Sequence, residues 1–334
     1  MLPAAPANLV DNRRQHLGRF STALQHANLI DAAYHHLPRP LRYLRLKEWQ
    51  AVQIGTDDIF ICLALFDAKL MSLMQAKIYD KKRGAKIIHE WKLRPGALSI
   101  ADQLIDSTNR YADKRGVLEF RNSLATNQIT ISLDLRTKSL PAVRGTITVD
   151  TRRGASHVGS FPFAGDVGMY SHKGMFAATG ELTVGEHTFQ LANAPCLLDD
   201  HKGYYPYVMR WDWVTSAHHD RGFNLTRNQC RDPDQFNENC AWHGDQLGTL
   251  PPVMFEREHV RTANERWRIR DREGRVDVTF HPTVPGDVSV NAVIVHSKYR
   301  GPFGTFEGRL EPEGLAPIQI DNWFGMGEDF HLRC

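Results

Sequence analysis

The chain has 334 residues, 42% of them hydrophobic and 24% charged, with a formal charge of +3. That is the composition of a soluble globular protein with room for two domains or one large one. The small charge, spread over 41 scattered Lys and Arg, argues against a nucleic-acid partner, and no apolar run reaches the roughly 18 residues of a membrane-spanning helix.

The N-terminus lacks the basic start and apolar centre of a signal peptide. Five cysteines, none in C-x-x-C spacing, make a zinc site unlikely; Cys230 and Cys240 could form one disulfide, but scattered thiols in a chain this long fit a reducing compartment better. A cytoplasmic location is expected. Residues 11–36 carry Leu17, Phe20, Leu24, Ala27 and Ile30 at helical spacing, which predicts a helix that docks on the body, caps a barrel or rests on a membrane surface. Pro38 and Pro40 should stop it.

From residue 41 onward the pattern is that of strands. Residues 43–54 and 59–66 flank a Gly55-Thr56-Asp57-Asp58 turn, and residues 71–79 and 85–91 flank the turn ending in Gly84. Residues 100–110 fit a short helix or a loop. Ile129, Ile131, Leu133 and Leu135 alternate with polar residues, giving one buried face. The glycine-rich stretch 150–174 reads as a connection between two halves. In the second half Gly185-Glu186 marks a hairpin, Trp267 and Ile269 alternate with arginines, Val276, Val278 and Phe280 share a face, and residues 288–295 and 303–310 are further strands. Short strands with glycine turns predict a mostly β protein of barrels or sandwiches, and closed antiparallel barrels of about eight strands suit the count. The expected division is a helical arm at 1–40, a first barrel at 41–165 and a second barrel at 166–334 carrying the site.

That site is the stretch richest in reactive groups: Asp199, Asp200, His201, Tyr204, Tyr205, Tyr207, Arg210, Trp211, Asp212 and Trp213. Trp211 and Trp213 share one face of a strand, and Arg210 and Asp212 the other. A carboxyl buried among aromatics keeps its proton to higher pH. Asp200 could then protonate a carbon–carbon double bond, with His201 orienting it or returning the proton and Asp212 placing a water. Tyr205, Trp211 and Trp213 would offer ring faces to the cation. Water capture makes a hydratase; internal capture or proton loss makes a cyclase or isomerase. Asn224, Asn237, Glu238 and Asn239 could bond an oxygenated ligand beside Trp242, Glu238 being a second acid. The structural alternative makes Asp200-His201 a turn, Asp212 an ion-pair partner of Arg210 and the tryptophans core.

Asp200-His201-x-Gly203 followed by Trp211-Asp212-Trp213 resembles the pattern of the carotenoid hydratase and AttH-like group, which implies two lipocalin-like barrels. Lys202 stands where that group usually has tryptophan, which puts a carotenoid substrate in doubt. Lys47-Glu48-Trp49, Lys202-Gly203, Gly222-Phe223-Asn224-Leu225, Glu238-Asn239 before Trp242, and the run Gly301 to Gly308 resemble an uncharacterised bacterial domain-of-unknown-function family, which implies no activity. No phosphate-binding loop, nucleophile elbow or H-E-x-x-H motif occurs, so no cofactor and no metal are expected. The expected partner is a small apolar molecule, with peripheral membrane contact open and the oligomeric state unset. The competing readings are a ligand carrier without chemistry, and a carbohydrate-active enzyme pairing Asp200 with Glu307 or Glu328 across a tryptophan-lined groove.

Overall fold

The computed structural model describes residues 2–163, 168–291 and 296–333, without the side chains of 287–291 and of 296 and 297. The protein is mostly β: two curled antiparallel sheets, the fold class expected from the strand pattern. The N-terminal segment contributes β1 (Val10–Asp11), β2 (Arg14–Gln15) and β3 (Gly18–Phe20), then a 3-10 turn at Leu29–Asp31 and the α-helix α1 (Arg39–Arg45).

The first sheet holds β4 (Lys47–Gly55), β5 (Ile59–Asp67), β6 (Ser72–Asp80), β7 (Ala85–Leu93), β8 (Leu98–Ser99), β9 (Ser107–Asp113), β10 (Gly116–Ser123), β11 (Gln128–Leu135), β12 (Val143–Pro162), β13 (Gly168–Val184) and β14 (His187–Gly203). Its order is β7-β6-β5-β4-β14-β13-β12-β11-β10-β9-β8, with β3 added on β12. Residues of both wings, such as Ile61 and Ile78 on one and Phe120 and Ile131 on the other, share a single core. A sheet can bring its wings together only by curling. Side-chain bonds across the interior say the same: Gln50 of β4 donates to Asn122 of β10 at 2.8 Å and accepts from Asn109 of β9 at 2.6 Å.

The second sheet holds β15 (Val208–His218), β16 (Arg221–Arg227), β17 (Cys240–His243), β18 (Gln246–Thr249), β19 (Met254–Glu258), β20 (Arg266–Arg270), β21 (Val276–Val284), β22 (Asp287–Asn291), β23 (His296–Arg300), β24 (Phe303–Leu310) and β25 (Ile318–Arg333). Its core gathers Val214, Phe223, Trp267, Ile269, Val278, Phe280, Phe306 and Trp323. The predicted strand at 288–295 lies partly outside the described residues. The chain separates into two compact units, Met1–Ser160 with Asp166–Tyr204 and Phe161–Gly165 with Tyr205–Cys334. Residues 168–203 are therefore strands of the first sheet, where the second domain had been expected to begin.

Three expectations are corrected. Residues 11–36 form no α-helix. Asn12, Arg13, His35 and His36 take positive φ, and the apolar residues instead bury one by one. Phe20, Leu24, Ala27, Leu29 and Ala32 join Val158, Tyr170 and Tyr204 in a small core of their own, so docking on the sheet overrides local helix periodicity. Pro38 and Pro40 do not end a helix but begin one, α1, where a first-turn proline loses no hydrogen bond. Gly154 marks close strand contact, not a linker: a Cβ there would stand 1.7 Å from the Met175 carbonyl oxygen, while residues 164–167 of the predicted connection lie outside the described residues. Among the described residues no helix is long and apolar enough to cross a membrane.

Candidate functional site

Asp200 and His201 do not form a turn. They are neighbours within β14, so they face opposite sides of the sheet. Asp200 and Lys202 point with Leu198 and Cys196 toward the first unit's interior. His201 and Asp199 point the other way.

On the inner face Asp200 is flanked in register by His172 of β13 and Gln50 of β4. Neither satisfies it. Gln50 is committed to Asn109 and Asn122. His172 places Nδ1 3.3 Å from the Tyr170 hydroxyl and Nε2 3.0 Å from the Ser156 hydroxyl. Asp200 is 1% exposed, and its Oδ1 has no hydrogen-bond partner among the described residues. Burial pushes its carboxyl up to about 6, against the opposing pull of Lys202 and His201. Burial likewise lowers His172 to about 4, so the imidazole beside it is neutral. Tyr170 lies near enough to feel the charge of Asp200, and burial and that charge hold its hydroxyl well above the usual range. The buried hydroxyl of Tyr204 is also unpartnered, and desolvation raises it to about 12.

A chain of buried charges runs from this point toward α1. Lys202 bonds Glu48 at 3.4 Å, Glu48 also accepts from Lys69, and Lys69 bonds Asp67 at 2.9 Å. Burial alone would lower Lys69, but Glu48 and Asp67 outweigh it and raise it. Gln50, His172, Tyr170 and Glu48 are absent from the predicted site. All four lie on neighbouring strands and come beside Asp200 and Lys202 only through strand pairing.

On the opposite face Asp199 accepts from Lys173, from the Trp49 indole at 3.1 Å, and lies 3.0 Å from His201 Nε2. Lys173 and His201 hold its carboxyl far below the usual range despite burial. Ser171 Oγ is 3.1 Å from the same Nε2. Serine and aspartate on one nitrogen cannot act as a nucleophile–base–orienter relay, which needs them on opposite nitrogens. Asp199 and His201 are a close pair of metal-type donors, but the Lys173 ammonium already occupies that carboxylate. Among the described residues no three His, Cys, Asp or Glu side chains gather as a metal would require.

The other predicted residues lie in the second unit. Trp211 and Trp213 share a face as expected, on the side away from Val214 and that unit's core. Trp211 donates to Glu328 at 2.9 Å and stacks on Phe330; Trp213 donates to Asn224 at 2.6 Å. Asp212 pairs with Arg227 at 2.6 Å and with Arg257, not with Arg210. Tyr205 is buried against Phe163 and Trp211. Asn224 donates to the Glu238 carbonyl, Asn239 bonds Thr226 and Pro251, and Glu238 accepts from Asn228 at 3.1 Å, so these groups hold the fold's own backbone. Trp242 is 1% exposed. An open groove of about 560 Å³ on this unit is bounded by Arg266, Arg268, Arg270, Asp277, Glu307 and Asp321. Glu307 there bonds His281, and no tryptophan lines the groove, so it lacks the platform a sugar-binding cleft would use.

A family model for a domain of unknown function, DUF2804, matches residues 13–334. The chain belongs to this DUF2804 family. No curated protein matches it. Among solved structures it is similar to the crystal structure of kievitone hydratase from Nectria haematococca, with a TM-score of 0.52 at 13% identity, covering 86% of this chain and 88% of that one. At that identity the DUF2804 chain shares the neighbour's fold, the lipocalin-like architecture of paired curled sheets.

Proposed function

We propose that this protein binds a small apolar, terpenoid-like molecule at the inner face of the first unit and that Asp200 acts on it as a general acid. One observation carries the reading: Asp200 is buried on the inner face of β14 with one carboxyl oxygen unpartnered, and burial pushes that carboxyl up to about 6. Buried polar atoms nearly always have partners, and the exceptions mark places where a ligand or water completes the set. A neutral acid at that position can give its proton to a carbon–carbon double bond. The ring of Tyr170, which lies close enough to feel the charge of Asp200, supports the cation, water adds to it, and the released proton returns to the Asp200 carboxylate. Net addition of water makes the protein a hydratase, and the hydratase name of its structural neighbour agrees. Proton loss or ring closure from the same cation would make it an isomerase or cyclase. We assign Asp212, held by two guanidiniums, and His201, on the far face of β14, to structure.

The second reading is a carrier without turnover, favoured by the engagement of His172, which leaves Asp200 no evident proton relay. Native mass spectrometry of the protein after exposure to lipid extract would identify a ligand, and turnover of that ligand would be followed in wild type, Asp200→Asn and Asp200→Glu. Asp200→Asn is expected to retain the ligand and lose at least about a hundredfold in rate. Undiminished turnover in Asp200→Asn sinks the acid mechanism, and a retained ligand with no turnover in wild type establishes the carrier.

A further inference from the structure

We propose that residues 26–27 and the loop before β9, residues 100–106, form a latch whose release opens the first unit's interior to small molecules. Asp200 is 1% exposed on the inner face of β14, so whatever reaches it must pass a part of the unit that moves. The strands around it do not part easily. β14, β13 and β4 are each paired on both sides, and β13 with β14 runs in register from Met169–Gly203 to Val184–His187. The N-terminal segment offers the easier break, because it is fastened unequally. Toward β12 and β13 the hold is firm. β3 pairs with β12 from Phe20–Val158 to Gly18–Ser160, and the buried Gln15 donates to the Ser160 hydroxyl at 2.7 Å and accepts from the Gly168 amide at 2.9 Å. Phe20, Leu24 and Leu29 bury against Val158 and Tyr170 on the same side. Toward the loop before β9 the hold is slight: the Ala27 amide donates to the Asp102 carbonyl at 3.0 Å, and the exposed His26 ring lies 3.0 Å from the Gln103 side chain.

Two hydrogen bonds, one of them at the surface, give way before a strand ladder and an apolar core do, so opening begins at the loop and hinges on β12. His26 is also bonded through its backbone to Ala7 and Leu9, so residues 7–9 and 26–27 swing as one piece. The latch stands over the right place. Asp102 feels the charges of Glu48, Lys202 and Lys69, which sets the loop against the buried charge chain that ends two residues from Asp200. That the opening admits an apolar ligand rests on the proposed function; the opening itself does not.

The test bridges the latch. In a full chain carrying Asp200→Cys, His26→Cys and Gln103→Cys are joined by a short bismaleimide, or each is capped with N-ethylmaleimide. Iodoacetamide then labels the thiol at position 200, and peptide mass spectrometry reads the site. Cys62, buried on the face of β5 turned away from the core, is the internal reference. The capped protein should label at position 200 at least about tenfold faster than the bridged one and with a slight dependence on urea, while Cys62 reacts alike in both. Wild type gives a second reading without substitutions: hydrogen exchange at the buried, bonded Ala27 amide should outpace the amides of β13 and β14 by about tenfold or more. Equal labelling of bridged and capped protein overturns the proposal. So does a parallel change at Cys62, because the whole unit then opens at once, and so does Ala27 exchange no faster than that of β13 and β14. None of these measurements uses a ligand, so undiminished turnover in Asp200→Asn would remove the acid and leave the latch standing.

Discussion

Asp200 and His172 face each other across β13 and β14, and burial pushes them toward the same neutral state from opposite sides. The folded protein holds the Asp200 proton up to about 6, whereas the unfolded chain releases it near 3.8. Between those values the folded state binds more protons, so this residue makes stability fall as pH rises. His172 protonates near 6.5 when unfolded but only near 4 when folded. In that window the unfolded state binds more protons, and stability falls as pH drops. The slopes oppose each other and hide one another in the wild type. Asp200→Asn should therefore gain on wild type as pH rises from about 4 to about 7, by on the order of 3 kcal/mol at the plateau. His172→Gln should gain on wild type in the opposite direction, as pH drops. Urea midpoints across that range measure both, and curves parallel to wild type would mean that neither group is held neutral.

Asp200 could be picked out from its own segment because Asp, His, Tyr and Trp crowd there. The partners that define its environment could not, since Gln50 and His172 reach it only through strand register. Parity on a strand would have separated Asp200 from His201, had the segment been read as a strand and not as a turn. The same rule, applied to Trp211 and Trp213, put them correctly on one face.

At the scale of elements, alternation was the dependable signal and glycine the misleading one. Ile129 through Leu135, Trp267 with Ile269, and Val276 through Phe280 fall on core faces as their spacing predicts. The hairpin at Gly185-Glu186 pairs Val184 with His187. The stretch around Gly154 and Gly174 reads as a linker because glycine is common in loops. Here Gly154 lets β12 and β13 approach where any side chain would collide. Gly154→Ala forces the added methyl against the Met175 carbonyl, so the strands must part locally. A loss of at least about 2 kcal/mol is expected, in line with other overpacked sites. Thermal and urea denaturation would check it, and an Ala variant as stable as wild type would show that β12 tolerates a side chain at this point.

For the whole molecule, the N-terminal segment matters most. It carries no regular helix before α1, yet Phe20, Leu24, Ala27 and Leu29 pack on Val158, Tyr170 and Tyr204, and Tyr170 feels the charge of the candidate acid. β3 extends the first sheet from β12, and His26 lies 3.0 Å from Gln103 of the loop before β9. The strap is thus part of the first unit, with a small core of its own, while the second unit has a separate core around Trp267 and Phe306. A cavity under the strap should register in one unit alone. Leu24→Ala removes a side chain that is 1% exposed and should cost about 2–5 kcal/mol. Hydrogen exchange read by mass spectrometry would then accelerate in β12, β13 and β14 and stay at wild-type rates in β21, β24 and β25. Uniform acceleration across both sheets would mean that the two cores unfold as one cooperative body, and that the strap secures the entire chain and not only the unit it covers.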